Sequence, residues 1–343
     1  MSARTMSHDA LRHIARTALT AAGTSPHNAE IVADSLVDAN LVGHDSHGVI
    51  RLSQYVRAAQ DGHVSAGAEP AVIRKEAATA TIDACDGWGQ PGMWLATRTV
   101  KDLAAEFGIA VAAVNRSYHI GRVAPYVEDI ARAGMVGIAL ANAAPAVAPY
   151  GGSSRVMGTN PFAWAVPRGE GQAPVCLDVA TAGIAEGKVR VARGKGELVP
   201  PGYLVDTDGR ATQDPNDFYA GGTLLPFGLH KGSGFSLLAQ FLGWGLAGMD
   251  PTPFTGPRGT NGPVIIAINI APFTSLDTFT DHIEAQSARV LSSPPADGFS
   301  EVLLPGDPEI RVRERRLVEG IPIPDRTWEE METMATSLNI ALT

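Results

Sequence analysis

The sequence lacks the residues that mark several classes of protein. Its 343 residues include two cysteines, Cys85 and Cys176, which is too few for a disulfide framework or a cysteine zinc site and is consistent with a reducing cytosol. No apolar run approaches the roughly 18 residues of a membrane helix, and the N-terminal stretch lacks the apolar core of a signal peptide. Basic runs are also absent and the formal net charge is -9, so neither nucleic acid nor a membrane is an expected partner. We therefore expect a cytoplasmic protein.

Apolar residues follow helical and strand periods in separate parts of the chain. Helical spacing predicts three helices within about the first 65 residues, with Ser25-Pro26 as a helix start and Gly23 and Gly43 as helix ends. Helical stretches at 94–107 and 125–133 alternate with the first predicted strands, which is typical of an α/β protein. Short apolar runs bounded by Gly, Pro or Asn predict strands at 78–84, 109–114, 136–142, 162–167, 174–180 and 263–270.

Later segments predict how the chain is divided. Residues 194–228 are rich in Gly and Pro and predict an irregular segment that wraps an active site. Residues 233–248 are apolar on nearly all sides and predict a buried helix. We expect two units, a helical part from 1–72 joined by helices and loops of 276–343, and a sheet-containing part at 73–275.

One stretch, Gly87-Trp88-Gly89-Gln90-Pro91-Gly92, has the glycine spacing of a dinucleotide-binding loop. It follows a predicted strand and precedes a predicted helix, which is the context that such a loop requires. However, Asn115-Arg116 stands where the next strand would supply an acidic residue for the ribose. Trp88 and Pro91 also suit poorly a loop whose backbone touches a pyrophosphate. We interpret the stretch as a tight turn, with Pro91 starting the helix.

The stretch HDSHGVIRLSQY, residues 44–55, concentrates polar side chains. Ser46 and His47 are adjacent, so they do not form a nucleophile–base pair by themselves, and no strained Gly-x-Ser-x-Gly turn is present. A metal site usually has ligands spaced within a helix, and none is predicted here. His47 suits a proton donor or acceptor, and Arg51, one helical turn later, suits a carboxylate. The stretch therefore favours chemistry on 2-hydroxy or 2-oxo acids.

Two further stretches carry candidate functional residues. In LPFGLHKGSGFS, His230 and Lys231 precede a Gly-rich helix start, where free N–H groups and the helix dipole favour a phosphate or carboxylate. In NRSYHIGR, His119 stands at a transition from strand to loop. By itself, that position is as consistent with a structural role as with a functional one.

Together these stretches resemble the malate/L-lactate (sulfolactate, ureidoglycolate) dehydrogenase family. The resemblance runs in order over about residues 25–330, through GHDSHGVIRLSQYV, SYHIGR, APYGGSSRVMGTNPFAWAVP, LDVATAGIAEGKV, LLPFGLHKGSG and GIPIPDRTW. SYHIGR and KGELVPPGYLVDTDG look most like the hydroxycarboxylate dehydrogenase branch, which reduces small 2-oxo acids. The resemblance implies an α/β fold with a non-Rossmann mixed-sheet domain that binds NAD or NADP, a separate helical part, and a homodimer.

The resemblance also implies roles for single residues. Ser46, His47 and Asp178 match a catalytic group of the cyclic-imine reductase branch, whereas other members have the acid/base at the position of His119. Arg51 and Tyr55 are the expected binding residues for a small carboxylate substrate. Cofactor contacts are implied at His119, Ile120, Gly121, Arg122, Val123, Asp178, Val179, Ala180, His230, Lys231, Gly306, Asp307 and Glu309.

The sequence thus predicts an NAD(P)-dependent oxidoreductase that interconverts small 2-oxo and 2-hydroxy acids. His47 would donate the proton, with His119 as the rival proton donor. Asp178 would hold the His47 ring and stabilise its charged form, and Ser46 would link the two or touch the substrate oxygen. Leu229 and Ala182 depart from the family pattern, which has Gly and Ser at these positions. A cyclic ketimine reductase is one alternative, and a Ser-His-Asp hydrolase is an alternative from another class.

Overall fold

The computed structural model describes residues 3–248 and 261–342. The helices in these ranges are α1 (His8–Ala21), α2 (Pro26–Leu41), α3 (Leu52–Gln60), α4 (Gly89–Phe107), α5 (Ala124–Arg132), α6 (Glu186–Lys195), α7 (Pro215–Tyr219), α8 (His230–Gly245), α9 (Leu276–Leu291), α10 (Asp307–Glu319) and α11 (Asp325–Leu338). The strands are β1 (Ala3–Met6), β2 (Ala71–Glu76), β3 (Thr79–Asp83), β4 (Ile109–Asn115), β5 (Met135–Leu140), β6 (Pro161–Val166), β7 (Val175–Ala180), β8 (Leu204–Val205), β9 (Ala211–Thr212), β10 (Thr223–Leu224), β11 (Val264–Asn269) and β12 (Ile321–Pro324). None of these helices is both long and apolar enough to cross a membrane.

The predicted N-terminal helices are confirmed. The side chains of Ser7 and Ser25 accept hydrogen bonds from the N–H groups of Ala10 and Asn28, and thereby cap α1 and α2. Pro26 occupies the first turn of α2, where its missing N–H is not needed. The apolar face predicted for α1 is buried and consists of Leu11, Ile14, Ala15, Ala18 and Leu19.

C-terminal elements complete the core of these helices. β1 pairs with β12 in antiparallel orientation, so that Met6 lies opposite Ile321. One buried cluster combines apolar residues of α1, α2 and α3 with residues of β12 and α11, namely Ile321, Ile323, Trp328, Met331 and Met334. The helical core is therefore built from both the first and the last part of the described chain.

A seven-stranded mixed sheet forms the second core. Its strand order is β2-β3-β4-β11-β5-β6-β7. β3 and β4 are parallel, and every other neighbouring pair is antiparallel. α4 and α5 contribute apolar residues such as Val100 and Val127 to its core. The predicted non-Rossmann mixed-sheet fold is confirmed, because a doubly wound nucleotide-binding sheet is mostly parallel.

Six strands were expected in the sheet core, and all six are present as β3, β4, β5, β6, β7 and β11, with small differences at their ends. β1, β2 and β12 were not expected. β2 escapes prediction because all six of its residues are exposed, so the alternation of a half-buried strand is missing. α4 begins at Gly89 with Trp88 as its N-cap, so the predicted helix start at Pro91 is wrong.

Two predictions for the later segments are wrong. Residues 194–228 are not irregular throughout, because they contain α7 and a three-stranded sheet with the order β10-β8-β9. α8 begins at His230 and is not a buried helix, since Phe235, Leu238 and Phe241 expose 46%, 46% and 65% of their surface. Apolar composition alone does not distinguish burial within one chain from an apolar face at its surface.

Candidate active site

Residues 44–51 follow α2 and form two 3-10 turns, which residues of α10 hold in place. His44 Nε2 lies 3.1 Å from Glu309 Oε1 at the start of α10. Asp45 accepts hydrogen bonds from Arg316 of the same helix at 2.7 and 3.0 Å. His44 and Asp45 therefore fix the segment to α10. Ser46 and His47 follow directly and lie on a backbone that these contacts hold in place.

His47 of this segment lies against a second histidine, His119. The ring of His47 stacks on the ring of His119, with their centroids 5.6 Å apart and their planes at 20°. His119 lies in the loop between β4 and α5. Ser46 Oγ lies 3.1 Å from His47 Nδ1. The structure thus brings together Ser46 and the two residues predicted as rival proton donors.

His119 is held at its Nδ1 atom. The backbone N–H of Gly121 donates to Nδ1 at 3.2 Å, and the Tyr55 hydroxyl lies 2.6 Å from the same atom. Because a backbone N–H can only donate, Nδ1 carries no proton and the Tyr55 hydroxyl donates to it as well. The neutral ring therefore carries its proton on Nε2. Tyr55, expected to bind substrate, is fully buried and supports His119.

Burial and positive charge keep both histidines neutral. Burial, followed by the charge of Arg51, lowers the pKa of His47 from 6.5 to about 3. The same two causes hold the pKa of His119 well below 6.5. Burial raises the pKa of the Tyr55 hydroxyl, which therefore also stays neutral. At neutral pH the site presents two uncharged rings beside a guanidinium.

Arg51 is the cation of this site. Its Nε donates to the Ser46 carbonyl at 2.7 Å, and its Nη1 donates to Gln54 Oε1 at 3.0 Å. These bonds fix the guanidinium, but no carboxylate of the described residues pairs with it. A fixed guanidinium without a counterion offers a planar fork to an anion, and carboxylates match that fork.

Asp178 lies on β7 next to the start of α5. Its Oδ2 accepts hydrogen bonds from the N–H groups of Val123 and Ala124 at 2.9 and 2.8 Å. Burial raises the pKa of this carboxyl, although the charge of Arg122 opposes that effect. In the described part of the chain, no hydrogen bond joins Asp178 to His47. The structure therefore places Asp178 under the loop that carries His119, away from the expected contact.

The loop 119–123 connects the sheet to the helical core. The N–H of Ile120 donates to Asn261 Oδ1 at 3.2 Å. Arg122 is buried and bonds Asp38 of α2 at 2.8 Å, and Asp38 also pairs with Arg313 of α10. The Nε of Arg122 is buried without a hydrogen-bond partner. The loop that carries His119 therefore contains a buried hydrogen-bond donor, the Arg122 Nε, that has no acceptor.

The start of α8 presents a second cationic group. His230 and Lys231 form its first turn and are exposed. Lys231 makes no ion pair among the described residues, so its charge, together with the dipole of the helix start, favours a phosphate. Within the same ranges, no hydrogen bond or ring contact joins this turn to His47 or His119. Val179, Ala180 and Asp178 end β7 and are half-buried.

The turn before α10 has contacts within the protein. Asp307 Oδ2 accepts a hydrogen bond from the N–H of Leu304 at 2.8 Å. Glu309 pairs with His44, whose hydrogen bond lowers the pKa of that carboxyl. Gly306 has a φ of 98° and lies against the backbone of β7. Of these three residues, which are expected to contact cofactor, Glu309 and Gly306 lie against His44 and β7, whereas Asp307 caps its own turn.

Sequence reasoning missed the contribution of the segment that begins α4. Gln90 Nε2 donates to the Tyr55 hydroxyl at 3.1 Å. The ring of Trp88 stacks on Tyr55 with centroids 5.2 Å apart. The glycine-rich motif itself is visible in the sequence, but its spacing suggests a phosphate loop, and nothing in the sequence links it to Tyr55 and His119.

A protein-family model described as malate/L-lactate dehydrogenase matches residues 6–332. Hydroxycarboxylate dehydrogenase B of Escherichia coli O157:H7 is 36% identical over 316 residues, which cover 90% of this chain and 87% of that protein. The Delta(1)-pyrroline-2-carboxylate/Delta(1)-piperideine-2-carboxylate reductase of Pseudomonas syringae pv. tomato is 33% identical over 345 residues, covering 97% and 96%. The solved structure of sulfolactate dehydrogenase from Methanocaldococcus jannaschii gives a TM-score of 0.91 at 32% identity, covering 99% of this chain and 98% of that one.

These matches span most of the chain and agree with the motifs and the mixed sheet described above. They give no support to the alternative of a Ser-His-Asp hydrolase. The chain belongs to the malate/L-lactate dehydrogenase family and is an NAD(P)-dependent oxidoreductase of the 2-hydroxyacid dehydrogenase class.

Proposed function

We propose that this enzyme binds a small 2-oxo or 2-hydroxy acid by its carboxylate at Arg51 and exchanges the substrate proton at the two stacked histidines. The observation that carries the proposal is the pair of neutral rings, 5.6 Å apart, beside a guanidinium that lacks a counterion among the described residues. A 2-hydroxy acid has both groups that this arrangement complements, a carboxylate and an oxygen that exchanges a proton.

Two groups, one on the loop 119–123 and one at the start of α8, fit a nicotinamide dinucleotide, either NAD or NADP. The buried Nε of Arg122 lacks a partner, and Lys231 is unpaired among the described residues at the start of a 16-residue helix. Both groups suit the anionic diphosphate of such a cofactor. When it is bound, the nicotinamide supplies the hydride acceptor or donor of the reaction. We infer that the sheet-containing unit holds the cofactor, while the helical unit supplies Arg51 and His47.

His47 is the residue that we propose as the proton carrier. Its low pKa keeps the ring neutral in the free enzyme, which is the form that accepts the hydroxyl proton during oxidation. Ser46 Oγ contacts Nδ1, which leaves Nε2 for the substrate. A substrate carboxylate on Arg51 offsets the guanidinium charge and so favours the protonated ring. In reduction the same ring returns the proton to the substrate oxygen.

His119 and Asp178 have separate tasks in this proposal. His119 keeps its proton on Nε2 and donates a hydrogen bond to the substrate oxygen, which holds that oxygen beside His47. Asp178 binds the N–H groups at the start of α5 and thereby fixes the loop that carries His119. His119 remains the second candidate for the proton carrier, because it lies in the same stack.

A cyclic imino acid is the second candidate substrate. The Pseudomonas syringae relative is named as a reductase of two such compounds. A cyclic imino acid also carries a carboxylate for Arg51, and its C=N nitrogen takes up a proton as a carbonyl oxygen does. Its reduction therefore needs no catalytic group beyond those already described.

An absorbance screen at the nicotinamide band tests the proposal and separates these substrates. The purified protein is mixed with NADH or NADPH and with glyoxylate, pyruvate, hydroxypyruvate, oxaloacetate or a cyclic imino acid. We expect oxidation of a cofactor by at least one 2-oxo acid. If only the imino acid is reduced, the second candidate is correct, and if neither cofactor is oxidised with any compound, the proposed function is wrong.

We also infer a homodimer in which a second copy of the chain covers the exposed face of α8. Phe235 of this face contacts the rings of Phe162 and Phe227, and Leu238 and Phe241 follow it at intervals of three residues, so these exposed apolar side chains are neighbours on the helix. A continuous apolar surface of this kind marks an interaction site. Because α8 starts with Lys231, the second copy would lie beside a proposed cofactor contact.

The free thiols Cys85 and Cys176 support a cytoplasmic location.

A further inference from the structure

The segment Gly87–Gly92 is not assigned to the cofactor, yet it packs directly against the residues of the active site. Gly89 is the first residue of α4, and a Cβ at this position would lie 2.5 Å from the carbonyl oxygen of Tyr118 and 2.7 Å from that of His119. Contacts this short exclude a side chain. The glycine therefore lets the first turn of α4 lie against the loop that carries His119.

Gln90, the next residue, is fully buried behind His119. Its Nε2 donates to the Tyr55 hydroxyl at 3.1 Å, and that hydroxyl lies 2.6 Å from His119 Nδ1. Trp88 stacks on the Tyr55 ring, and its Nε1 donates to Thr24 at 2.9 Å, which fixes the indole. A chain of three polar groups thus runs from the start of α4 to the ring of His119.

The direction of these hydrogen bonds is set by the backbone N–H of Gly121, which can only donate. The N–H of Gly121 donates to His119 Nδ1, so the hydrogen of the Tyr55 hydroxyl also points to Nδ1. The lone pairs of the Tyr55 oxygen then accept from the amide nitrogen of Gln90. The Oε1 of Gln90 is buried without a partner. The side-chain amide is therefore held by its donor contact to the Tyr55 oxygen.

We propose that Gln90 is a positioning residue for proton handling: by donating to the Tyr55 oxygen it holds the hydroxyl hydrogen on His119 Nδ1 and so helps the Gly121 N–H to keep the His119 proton on Nε2, facing the substrate. The inference rests on the proposed function, because the position of this proton matters only if His119 meets the substrate oxygen. A His119 ring with a proton on Nδ1 would oppose the N–H of Gly121 and lose its donor toward the substrate.

Two substitutions separate this role from simple packing. Gln90→Met keeps a similar volume and removes the donor. Gln90→Glu keeps the shape, but its ionised carboxylate accepts the hydrogen of the Tyr55 hydroxyl and turns it away from His119. When that carboxyl is protonated, it donates to the Tyr55 oxygen as the amide of Gln90 does. The hydrogen bond from Tyr55 to His119 is therefore restored at low pH.

The first measurement determines kcat and the cofactor KM between about pH 5 and pH 9, a range that includes the ordinary pKa of histidine. For Gln90→Met we expect a loss of roughly tenfold in kcat at every pH, with the cofactor KM unchanged, because one hydrogen bond is removed. For Gln90→Glu we expect a loss of about tenfold or more at high pH that recovers toward wild type at low pH. Unchanged kcat and pH profiles in both variants would overturn the inference.

Gln240→Met is the matched control. Gln240 is also a buried glutamine with hydrogen bonds, to the Val156 carbonyl and from Asn160, but it lies on α8. Its substitution should lower the melting temperature without a new pH dependence of kcat. If Gln240→Met changes the pH profile as Gln90→Glu does, the effect is structural and the assignment to Gln90 is wrong.

A second measurement does not depend on turnover. Nitrogen-15 NMR of the histidine rings reports which ring nitrogen carries the proton, and His119→Gln identifies the signals of His119. We expect the proton of His119 on Nε2 in the wild-type protein, and a shift toward Nδ1 in Gln90→Glu at high pH. A wild-type proton on Nδ1 would overturn the inference. An enzyme that lacks activity on all the acids tested contradicts the proposed function instead, while this measurement still decides the role of Gln90.

Discussion

Arg51 contacts the protein through its Nε and Nη1 atoms, so its Nη2 edge has no partner among the described residues. We expect Arg51→Lys to raise the substrate KM by about 10- to 100-fold and to leave the cofactor KM unchanged, because lysine keeps the charge but loses the planar fork. Steady-state kinetics with each partner varied in turn measure both constants. Arg57→Lys, an exposed arginine of α3, is the control. Equal losses in both constants would show that Arg51 is structural or binds cofactor.

The two histidines are predicted to differ in the size of their effect. A residue that carries the proton acts in the transition state, so His47→Ala should lower kcat and kcat/KM together by ~10²–10⁴-fold. His119→Ala removes a hydrogen-bond donor and should cost less, about 10- to 100-fold. Saturating kinetics with both variants decide between them. If His119→Ala causes the larger loss while His47→Ala stays active, the two roles are exchanged.

The residues of the site differ in how far the sequence could identify them. Ser46, His47 and Arg51 stand within one short polar stretch, so their types alone point to proton and carboxylate chemistry. The support of His119 by Tyr55 could not be predicted, because it depends on how the helical core packs against the loop after β4. The backbone contacts of Asp178 are likewise created by the start of α5 and leave no pattern in the sequence.

At the scale of elements, the start of α4 is tightly constrained by the loop that carries His119. Gly89→Ala would press a methyl group onto the carbonyls of Tyr118 and His119, and we expect it to destabilise the fold by about 1–3 kcal/mol and to lower kcat. Thermal unfolding and steady-state kinetics measure the two effects. Gly194→Ala in α6 is the control, because a Cβ there meets nothing within 4 Å and alanine favours the helix by up to ~1 kcal/mol. Wild-type stability of Gly89→Ala would show that the first turn of α4 can shift.

Helices and strands could be predicted where a local pattern decides them. Ser25-Pro26 starts α2 as its residue types indicate, and the apolar runs of the sheet core do form strands. The strand order could not be predicted, because β11 pairs antiparallel with both β4 and β5 although it lies far from them in the chain. The exposure of α8 is hidden for a related reason: one sequence does not show whether a second copy covers an apolar face.

For the whole molecule, we expect a dimer that depends on α8. Phe241→Glu places a charge on a side chain that is 65% exposed in the single chain, and it should convert the dimer to a monomer if a second copy covers this face. Sedimentation equilibrium measures the mass of both forms. Val318→Glu, on an 88% exposed residue of α10, is the control and should stay dimeric. A monomeric wild type, or dissociation by Val318→Glu alone, would contradict the proposed interface.

The lowered pKa of His47 also predicts how stability depends on pH. The pKa of His47 in the folded protein, about 3, lies below its value of 6.5 in the unfolded chain, so the unfolded chain takes up a proton first as the pH falls. Its contribution to stability is complete above about pH 6.5 and is lost as the pH falls toward 3. We expect the free energy of unfolding of His47→Gln to fall less steeply than that of wild type between about pH 7 and 4. Parallel denaturant titrations test this, and identical slopes would show that His47 takes up its proton in the folded protein as readily as in the unfolded chain.

The pairing of β1 with β12, together with the anchoring of His44 and Asp45 by α10, has a consequence for biosynthesis. The segment that carries His47 leaves the ribosome well before α10, whose residues hold that segment, has been made. At roughly 5–20 residues per second, this delay lasts on the order of tens of seconds. A chain that stops after β11 already contains every strand of the seven-stranded sheet, yet it lacks the residues of α10 that hold His44 and Asp45. We therefore expect the sheet to form before the segment 44–51 takes its final position.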